Sequence, residues 1–348
     1  MIINNFELCL IDASFLITRN LWVGTKDVPT GELSPGPVLR LIIQTLRKCQ
    51  RDYGIRPEKF VFISDKWDNT TGGYYVNCLT QDIVKRLGIG GYKSSRKYVT
   101  AKVVEEMKLD PEVTPEQLKE AERELAINQV KFAVKKVMRE DFSKIGLPWI
   151  EVSGYEFDQI ATLAAFERYG KTEKPDVILT KDSDLQYSLT PNCQYFSLPT
   201  KGSEPKIITY DEMYYQIPEQ LRNIGIGLYQ YNSYLNALGK SHNDMSRTLK
   251  KGYDPVDAII DIVTRGDYTC LEPDRIDLFK AQLQSYDLSI YPKLNEVKKI
   301  IHEDLPRMGN YPSKEDFHDL CSKHQIEGIS DKYFADFTSV FDQKLFSA

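Results

Sequence analysis

Six acidic residues follow four short apolar segments of the sequence. The segments are 6–11 (FELCLI), 59–64 (KFVFIS), 147–152 (LPWIEV) and 176–180 (DVILT). The acids that follow them are, in the same order, Asp12; Asp65; Glu156 and Asp158; and Asp182 and Asp184. Short apolar runs rich in β-branched and aromatic residues are typical of buried parallel strands. Because the carboxyl ends of such strands share one edge of the sheet, the six carboxylates are expected to meet there.

Carboxylates that converge in this way need a cation. Two unit charges about 4 Å apart repel each other by on the order of 4 kcal/mol at an effective dielectric of 20. Oxygen ligands, with few histidines and no CxxC pair, favour Mg²⁺ or Mn²⁺ over zinc or copper. Two such ions activate water and stabilise the attacking and leaving oxygens in phosphodiester hydrolysis. The sequence therefore predicts a nuclease with two Mg²⁺ ions, for which Mn²⁺ can substitute.

The same acids also suit structural roles. Asp12 can cap the helix that follows it, and Asp182 and Asp184 can be turn residues. Glu156 and Asp158, near a helix start, interact favourably with the helix dipole. A purely structural explanation requires independent roles to coincide four times at one sheet edge.

Long amphipathic stretches separate the apolar segments, which is typical of a parallel sheet covered by helices. The stretches are 35–53, about 114–140, and 157–169. Thr114-Pro115-Glu116-Gln117 forms a capping box with proline at the first helical position, which marks the start of the second helix. A hairpin is expected over Tyr195–Ile208, and the chain after Asp211 reads as mostly helical. We expect an α/β domain over 1–210 and a helical region over 211–348.

The motifs resemble those of the flap-endonuclease and 5′-exonuclease family, most closely its bacteriophage ribonuclease H members, which remove RNA primers. The matching segments keep the family's order: 10–14 (LIDAS), 63–65 (ISD), 154–161 (GYEFDQIA) and 178–185 (ILTKDSDL). The resemblance implies a PIN-like nuclease domain with a helical arch at about 80–112. It also implies a helix-three-turn-helix DNA-binding motif in the C-terminal region.

The resemblance also assigns the metal ligands. Asp12, Asp65, Glu156 and Asp158 would bind the first ion, and Asp182, Asp184 and Asp244 the second. Asp244 lies in 238–245 (LGKSHNDM), where the family's usual Gly-Asp pair is Gly239-Lys240 and the aspartate comes about one residue late. Asp158 is followed by Gln159, where the family often has a second aspartate. One outer-sphere ligand is therefore expected to be missing.

A basic segment without any acid extends from Ile83 to Val104. Its basic residues are Lys85, Arg86, Lys93, Arg96, Lys97 and Lys102, interleaved with Tyr92 and Tyr98. Basic side chains bind phosphates and aromatic rings stack on unpaired bases, although the composition also suits a solvated loop. The spacing of 92–96 (YKSSR) resembles the family's arch motif. The resemblance implies that Lys93 and Arg96 steer the scissile phosphate.

The composition sets limits on the class of protein. The chain has 348 residues, 41% of them hydrophobic, and a net charge of −5, which is ordinary for a globular protein. The six cysteines are scattered without a CxxC pair, which argues against a disulfide framework. Neither a basic leader nor a long apolar run occurs in the sequence. We therefore expect a protein without membrane contact, located in the cytoplasm, or in the host cytoplasm if phage-encoded. Composition does not indicate an oligomeric state, and a monomer is the default expectation.

Taken together, these features predict a metal-dependent 5′–3′ exonuclease and flap endonuclease in replication or repair. The expected substrates are DNA and RNA–DNA duplexes with 5′ ends or flaps. The family resemblance adds a single-strand binding protein or a sliding clamp as a partner. Two alternatives remain open: a PIN-like ribonuclease without the arch, and a non-catalytic protein that binds DNA structures. A zinc site at His318, Cys321 and His324 is not favoured, because no second cysteine completes it.

Overall fold

The computed structural model describes residues 4–66, 99–199, 203–239, 247–290, 293–305 and 313–329. The strands in these ranges are β1 Asn4–Asp12, β2 Ile55–Ile63, β3 Trp149–Ile150, β4 Asp176–Leu179, β5 Cys193–Ser197 and β6 Lys206–Ile208. The α-helices are α1 Ala13–Thr25, α2 Pro35–Asp52, α3 Ala101–Leu109, α4 Pro115–Asp141, α5 Phe157–Arg168, α6 Tyr210–Tyr214, α7 Glu219–Asn223, α8 Leu228–Ala237, α9 Pro255–Arg265, α10 Ile276–Gln284, α11 Leu294–Lys299 and α12 Lys314–Lys323. Mainly parallel strands with many helices confirm the predicted PIN-like α/β class.

The chain divides into two compact units, and each is discontinuous in sequence. The first unit comprises Met1–Ser64, Lys97–Ile150 and Arg307–Ala348, and the second comprises Asp65–Arg96 and Glu151–Pro306. The domain boundary near residue 210 stays a prediction. Among the described residues, every helix is too short or too polar to cross a membrane.

Three parallel strands form the sheet of the first unit, in the order β3-β2-β1. The register pairs Asn4 with Ile55 and Asp12 with Ile63, and Ile63 in turn pairs with Ile150. The interior side chains of these strands are fully buried, as expected for a parallel sheet covered on both faces. The predicted strands 6–11 and 59–64 are confirmed.

Helix α2 packs against β2, and α4 packs against α1 and α2. Helix α2 begins with Pro35, and its buried stripe consists of Val38, Leu39, Ile42, Ile43 and Leu46. Helix α4 begins with the predicted capping box. The N–H of Thr114 donates to Gln117 Oε1 at 2.8 Å, and the N–H of Gln117 donates to Thr114 Oγ1 at 3.2 Å. These bonds satisfy N–H groups that a helix start leaves without partners.

Helix α12 joins the first unit from the far end of the sequence. Asp141, at the end of α4, lies 2.7 Å from Lys144 Nζ, 2.9 Å from Lys323 Nζ and 2.8 Å from His324 Nε2. Gly36 of α2 packs against the backbone after α12, where an added Cβ would lie 2.5 Å from the Gln325 carbonyl oxygen. These two contacts attach α12 to α4 and α2.

In the second unit, β4 pairs with β5 in parallel and β5 pairs with β6 in antiparallel. The β5–β6 pair confirms the predicted hairpin. Arg168, the last residue of α5, and Asp176, the first residue of β4, form a buried two-point ion pair at 2.7 and 3.2 Å. Because this pair fixes the end of α5 beside the start of β4, the start of α5 lies toward the carboxyl end of β4.

Candidate metal centre

Asp12 is the last residue of β1 and the cap of α1 in the first unit. Its Oδ1 accepts a hydrogen bond from the N–H of Phe15 at 2.9 Å, and the side chain is half-buried. The structural role considered for Asp12 is therefore confirmed. Because β1 is a parallel strand that ends at Asp12, this carboxylate lies at the carboxyl edge of the sheet. The same residue can therefore cap α1 and be a candidate metal ligand.

The other five described acids belong to the second unit, and a hydrogen bond links Asp65 to the backbone between Glu156 and Asp158. Asp65 Oδ1 accepts from the N–H of Phe157 at 2.8 Å. Phe157 is the first residue of α5 and is flanked by Glu156 and Asp158. The bond therefore brings the second and third motifs together, although they lie about ninety positions apart in the sequence.

A turn at Gly154 allows the backbone to bring the start of α5 close to Asp65. The N–H of Lys66 donates to the Tyr155 carbonyl at 3.1 Å, and the N–H of Gly154 donates to the Lys66 carbonyl at 2.8 Å. Gly154 has φ +87°, in the left-handed region that favours glycine. The turn thus sets the start of α5 beside Asp65.

Gln159 has a structural role at the position where the family often has a second aspartate. Its Oε1 accepts from the N–H of Glu156 at 2.9 Å, and its own N–H donates to Asp158 Oδ1 at 2.9 Å. These two bonds hold the backbone of Glu156 and the side chain of Asp158 at the start of α5. Glutamine can accept the Glu156 bond without adding another negative charge next to a buried carboxylate.

The fourth motif lies at the same end of α5. Asp182 caps the 3-10 helix Ser183–Ser188, and its Oδ1 accepts from the N–H of Asp184 at 3.0 Å. The hydroxyl of Thr162, one turn into α5, bridges the Asp158 carbonyl at 2.6 Å and the Ser188 hydroxyl at 2.8 Å. The structure therefore brings α5, which begins beside the third motif, into contact with the 3-10 helix that begins at the fourth motif.

Partly buried tyrosines lie close to these carboxylates, and nothing in the sequence indicated them. Burial, and then the charge of Asp158, raises the pKa of Tyr229, whose hydroxyl donates to the Tyr286 carbonyl at 2.9 Å. Burial, and then Asp184, raises the pKa of Tyr187. These phenols therefore stay neutral beside the acids. With 21 tyrosines in the chain and no repeating spacing, the sequence carries no signal that singles out these two.

The donor set fits a hard divalent cation, since it consists of carboxylate oxygens. In the ranges that the structure describes, no three His, Cys, Asp or Glu side chains are close enough to hold one ion. The carboxylates of Asp12, Asp65 and Asp182 instead accept backbone hydrogen bonds. Each of these bonds uses only Oδ1, so the second oxygen of each carboxylate can still bind an ion. His324 pairs with Asp141, as described above, rather than completing a zinc site.

Several candidate residues lie outside the described residues. They are Lys85, Arg86, Tyr92, Lys93, Arg96, Lys97 and Asp244. Lys102 is described: it is exposed on α3 and lies 3.5 Å from Glu106. The helix-three-turn-helix motif also stays a prediction, although α8 and α9 lie on either side of Asp244 in the sequence.

Comparisons with known proteins agree with this fold. No family model and no curated protein matches the sequence. Among solved structures, the bacteriophage T5 D15 protein co-crystallized with metal ions is 16% identical, covers 92% of this chain and 99% of its own, and gives a TM-score of 0.50. The T5 D15 flap endonuclease complex with DNA and metal ions is 15% identical, covers 98% of this chain and 100% of its own, and gives a TM-score of 0.43. Human GEN1 in complex with Holliday junction DNA is 12% identical, covers 96% of this chain and 71% of its own, and gives a TM-score of 0.47. The match to the T5 D15 protein at a TM-score of 0.50 shows that the chain has the fold of the flap-endonuclease and 5′-exonuclease family, as its motifs predicted.

Proposed function

We propose that this protein is a metal-dependent 5′–3′ exonuclease and flap endonuclease. Its substrates would be DNA and RNA–DNA duplexes with 5′ ends or flaps, as in ribonuclease H-type primer removal or repair. The observation that supports this most strongly is the bond from Phe157 to Asp65, which brings together acids from two distant motifs. The T5 D15 protein, which shares the fold, was crystallised with metal ions.

The carboxylates would divide the metal binding among the motifs. Asp12, Asp65, Glu156 and Asp158 would hold the first ion, and Asp182, Asp184 and Asp244 the second. When bound, two Mg²⁺ ions, or Mn²⁺ in their place, lower the pKa of the attacking water and offset charge on the phosphate.

The chain's other residues orient the substrate and the ligands. Lys93 and Arg96 would position the scissile phosphate and stabilise the negative charge that develops on it. The cap bonds at the start of α5 hold Glu156 and Asp158 in place before any ion binds, so less ordering is needed at the moment of binding. The proposed partners are a single-strand binding protein or a sliding clamp, and the proposed state is a monomer.

A cleavage assay tests the proposal. The full chain is incubated with 5′-labelled flap duplexes, one all DNA and one with an RNA flap strand, in Mg²⁺, in Mn²⁺ and in chelator. We expect cutting with either ion and none with chelator. Asp182→Asn should lower the rate at least about 100-fold, since it removes a charged ligand. Asp211→Asn, the same change at an exposed position of α6, should leave the rate unchanged.

Other results would favour the alternatives. Binding of flap DNA without cutting in either metal would support a non-catalytic DNA-structure-binding protein. Cutting of structured RNA without any need for a 5′ flap would support a PIN-like ribonuclease. Lys93→Ala tests the role of the arch motif separately and should slow cutting strongly while metal binding is retained.

A further inference from the structure

A buried hydrogen bond joins two elements that begin at different acidic motifs. Thr162 lies in α5, one turn after Asp158, and Ser188 is the last residue of the 3-10 helix that Asp182 caps. The hydroxyl oxygens of Thr162 and Ser188 are 2.8 Å apart, and each residue is only 3% exposed. Because both hydroxyls are shielded from bulk water, each depends on the other as a partner.

The number of protons fixes the direction of this hydrogen bond. Thr162 Oγ1 also lies 2.6 Å from the main-chain carbonyl of Asp158, which can only accept. Since a hydroxyl has a single proton, Thr162 donates to that carbonyl and accepts from the hydroxyl of Ser188. The two bonds therefore form a chain from Ser188 through Thr162 to the backbone of Asp158. Loss of the Thr162 hydroxyl would leave the Ser188 hydroxyl buried without this acceptor.

A second threonine shows which of these two bonds is common in helices. In α9 the hydroxyl of Thr264 donates to the Ile260 carbonyl at 2.6 Å, and Thr264 is exposed. Threonine often makes this bond to the carbonyl four residues back, and it involves one helix only. Thr162 makes the same bond and in addition accepts from a different element. The bond from Ser188, rather than the bond within the helix, is what links α5 to the 3-10 helix.

The 3-10 helix is also held at its start. The N–H of Asp182 donates to Thr180 Oγ1 at 3.2 Å, and Thr180 directly follows β4. The helix has six residues, which span about 12 Å at a rise of about 2 Å each. With Thr180 at one end and the bond of Ser188 at the other, the segment that contains Asp182 and Asp184 is fixed relative to α5.

We propose that Thr162 is a positioning residue that sets the spacing between the carboxylates of the two candidate ion sites, an inference that rests on the proposed nuclease function. Asp158 belongs to the proposed first site, and Asp182 and Asp184 belong to the second. Two ions can act on one phosphate only if their separation matches that of the attacking and leaving oxygens. The chain from Ser188 to the Asp158 backbone links the two sets of ligands through groups that are not candidate ligands themselves.

Binding of Mn²⁺ in the absence of nucleic acid tests this proposal. The full chain is titrated with Mn²⁺, and free Mn²⁺ is followed by electron paramagnetic resonance. Thr162→Val keeps the shape of the side chain but lacks the hydroxyl, and it should weaken the Mn²⁺ affinity about tenfold. Thr162→Ser keeps the hydroxyl and should bind Mn²⁺ within about twofold of the wild type. Thr264→Val is the matched control: it removes a hydroxyl that bonds only within its own helix and should leave the affinity unchanged.

Ser188 provides an independent check from the other side of the bond. Ser188→Ala should also weaken Mn²⁺ binding, because it breaks the same chain. The double variant with Thr162→Val should bind no more weakly than Thr162→Val alone, since residues that act through one bond are not additive. A merely structural role would give another result. The variants would then melt at a lower temperature, measured by circular dichroism, and bind Mn²⁺ like the wild type wherever they are folded.

The outcomes separate this inference from the nuclease proposal. If flap DNA is cut and the folded variants Thr162→Val and Ser188→Ala bind Mn²⁺ like the wild type, this inference alone is wrong. If both variants bind Mn²⁺ more weakly but the wild type cuts no substrate, the nuclease proposal alone is wrong. Weak binding that Thr162→Ser fails to restore would also contradict the inference, because the hydroxyl would not be the group that acts. If Thr162→Val does not fold, Ser188→Ala decides.

Discussion

Asp65 combines two roles in one carboxylate, because it accepts a hydrogen bond from the start of α5 and is a candidate metal ligand. The two roles can be separated by mutation. Asp65→Asn keeps an oxygen that accepts the Phe157 N–H but removes the charge. Asp65→Ala removes both. We expect the free energy of unfolding to stay within about 0.5 kcal/mol in Asp65→Asn and to fall by about 1 kcal/mol in Asp65→Ala.

Both variants should lose flap cutting, since both lack the charge that an ion needs. Thermal unfolding followed by circular dichroism, with the cleavage assay on the same samples, measures the two effects. Wild-type cutting by Asp65→Asn would show that the charge of Asp65 is not used.

The identities of the candidate ligands could be predicted from the sequence, whereas their hydrogen-bond partners could not. Asp12 and Asp182 are recognisable because each follows a buried apolar run. The bond between Asp65 and Phe157 depends on the turn at Gly154, and a turn's geometry is not encoded by residue type alone. Gln159 looked like a missing ligand in the sequence, and in the structure its side chain holds the backbone of Glu156.

Helix α12 is attached to the first unit through Gly36, which tolerates no side chain. An added Cβ would lie 2.5 Å from the Gln325 oxygen and 3.0 Å from the His324 oxygen, and both are backbone atoms that cannot turn away. Gly36→Ala should therefore lower the free energy of unfolding by about 1 to 3 kcal/mol. Gly31→Ala is the matched control, because nothing lies within 4 Å of its added Cβ.

Chemical denaturation measures the free energy of unfolding of both glycine variants. Equal stability of Gly36→Ala and Gly31→Ala would mean that the segment after α12 does not pack on α2 in solution.

The hydrogen bonds of Asp141 with Lys323 and His324 make the attachment of α12 to the first unit dependent on pH. The hydrogen bond from Lys144, followed by those from Lys323 and His324, holds the pKa of this buried carboxyl well below its usual range against the opposing effect of burial. A carboxyl with a lowered folded pKa adds stability above its unfolded pKa, about 3.9, and this stability is lost as the pH falls through the folded pKa.

Asp141→Asn should therefore lower the free energy of unfolding at neutral pH by about 2 kcal/mol. The difference between the variant and the wild type should stay constant above about pH 5 and shrink as the pH falls below about 3.9 toward the lower folded pKa. Melting curves across this range measure it. A difference that stays constant with pH would contradict the assigned role of the charge.

The strands agree with the sequence-based prediction where an apolar run is buried along its whole length. They differ from it where the length of a strand depends on pairing with its neighbour. Segment 6–11 lies inside β1, and residues 59–63 of segment 59–64 lie inside β2, since both faces of these strands are covered. Segment 147–152 forms only the two-residue strand β3, because it pairs with the last residues of β2 alone. The docking of α12 could not be predicted, since its partner Asp141 lies 183 positions away from His324 in the sequence.

At the scale of the whole molecule, the net charge of −5 accompanies the candidate metal ligands. Saturating Mg²⁺ should raise the melting temperature by several degrees, because a ligand at about 100 times its Kd stabilises the folded state by about 2.7 kcal/mol. Asp182→Asn should show a clearly smaller shift than Asp211→Asn. The comparison is made at constant ionic strength with NaCl. An equal shift in both variants would mean that the ion binds elsewhere.

The return of the chain to its first unit has a consequence for how the protein is made. A unit that begins with β1 also includes α12, so it cannot close while the ribosome is still translating the middle of the message. Domains usually fold as units, in order of synthesis. In this protein the apolar surface that α12 covers stays exposed until nearly all of the second unit has emerged from the ribosome. Nascent chains that stall before residue 313 should therefore be held by chaperones more often than chains that stall after residue 329.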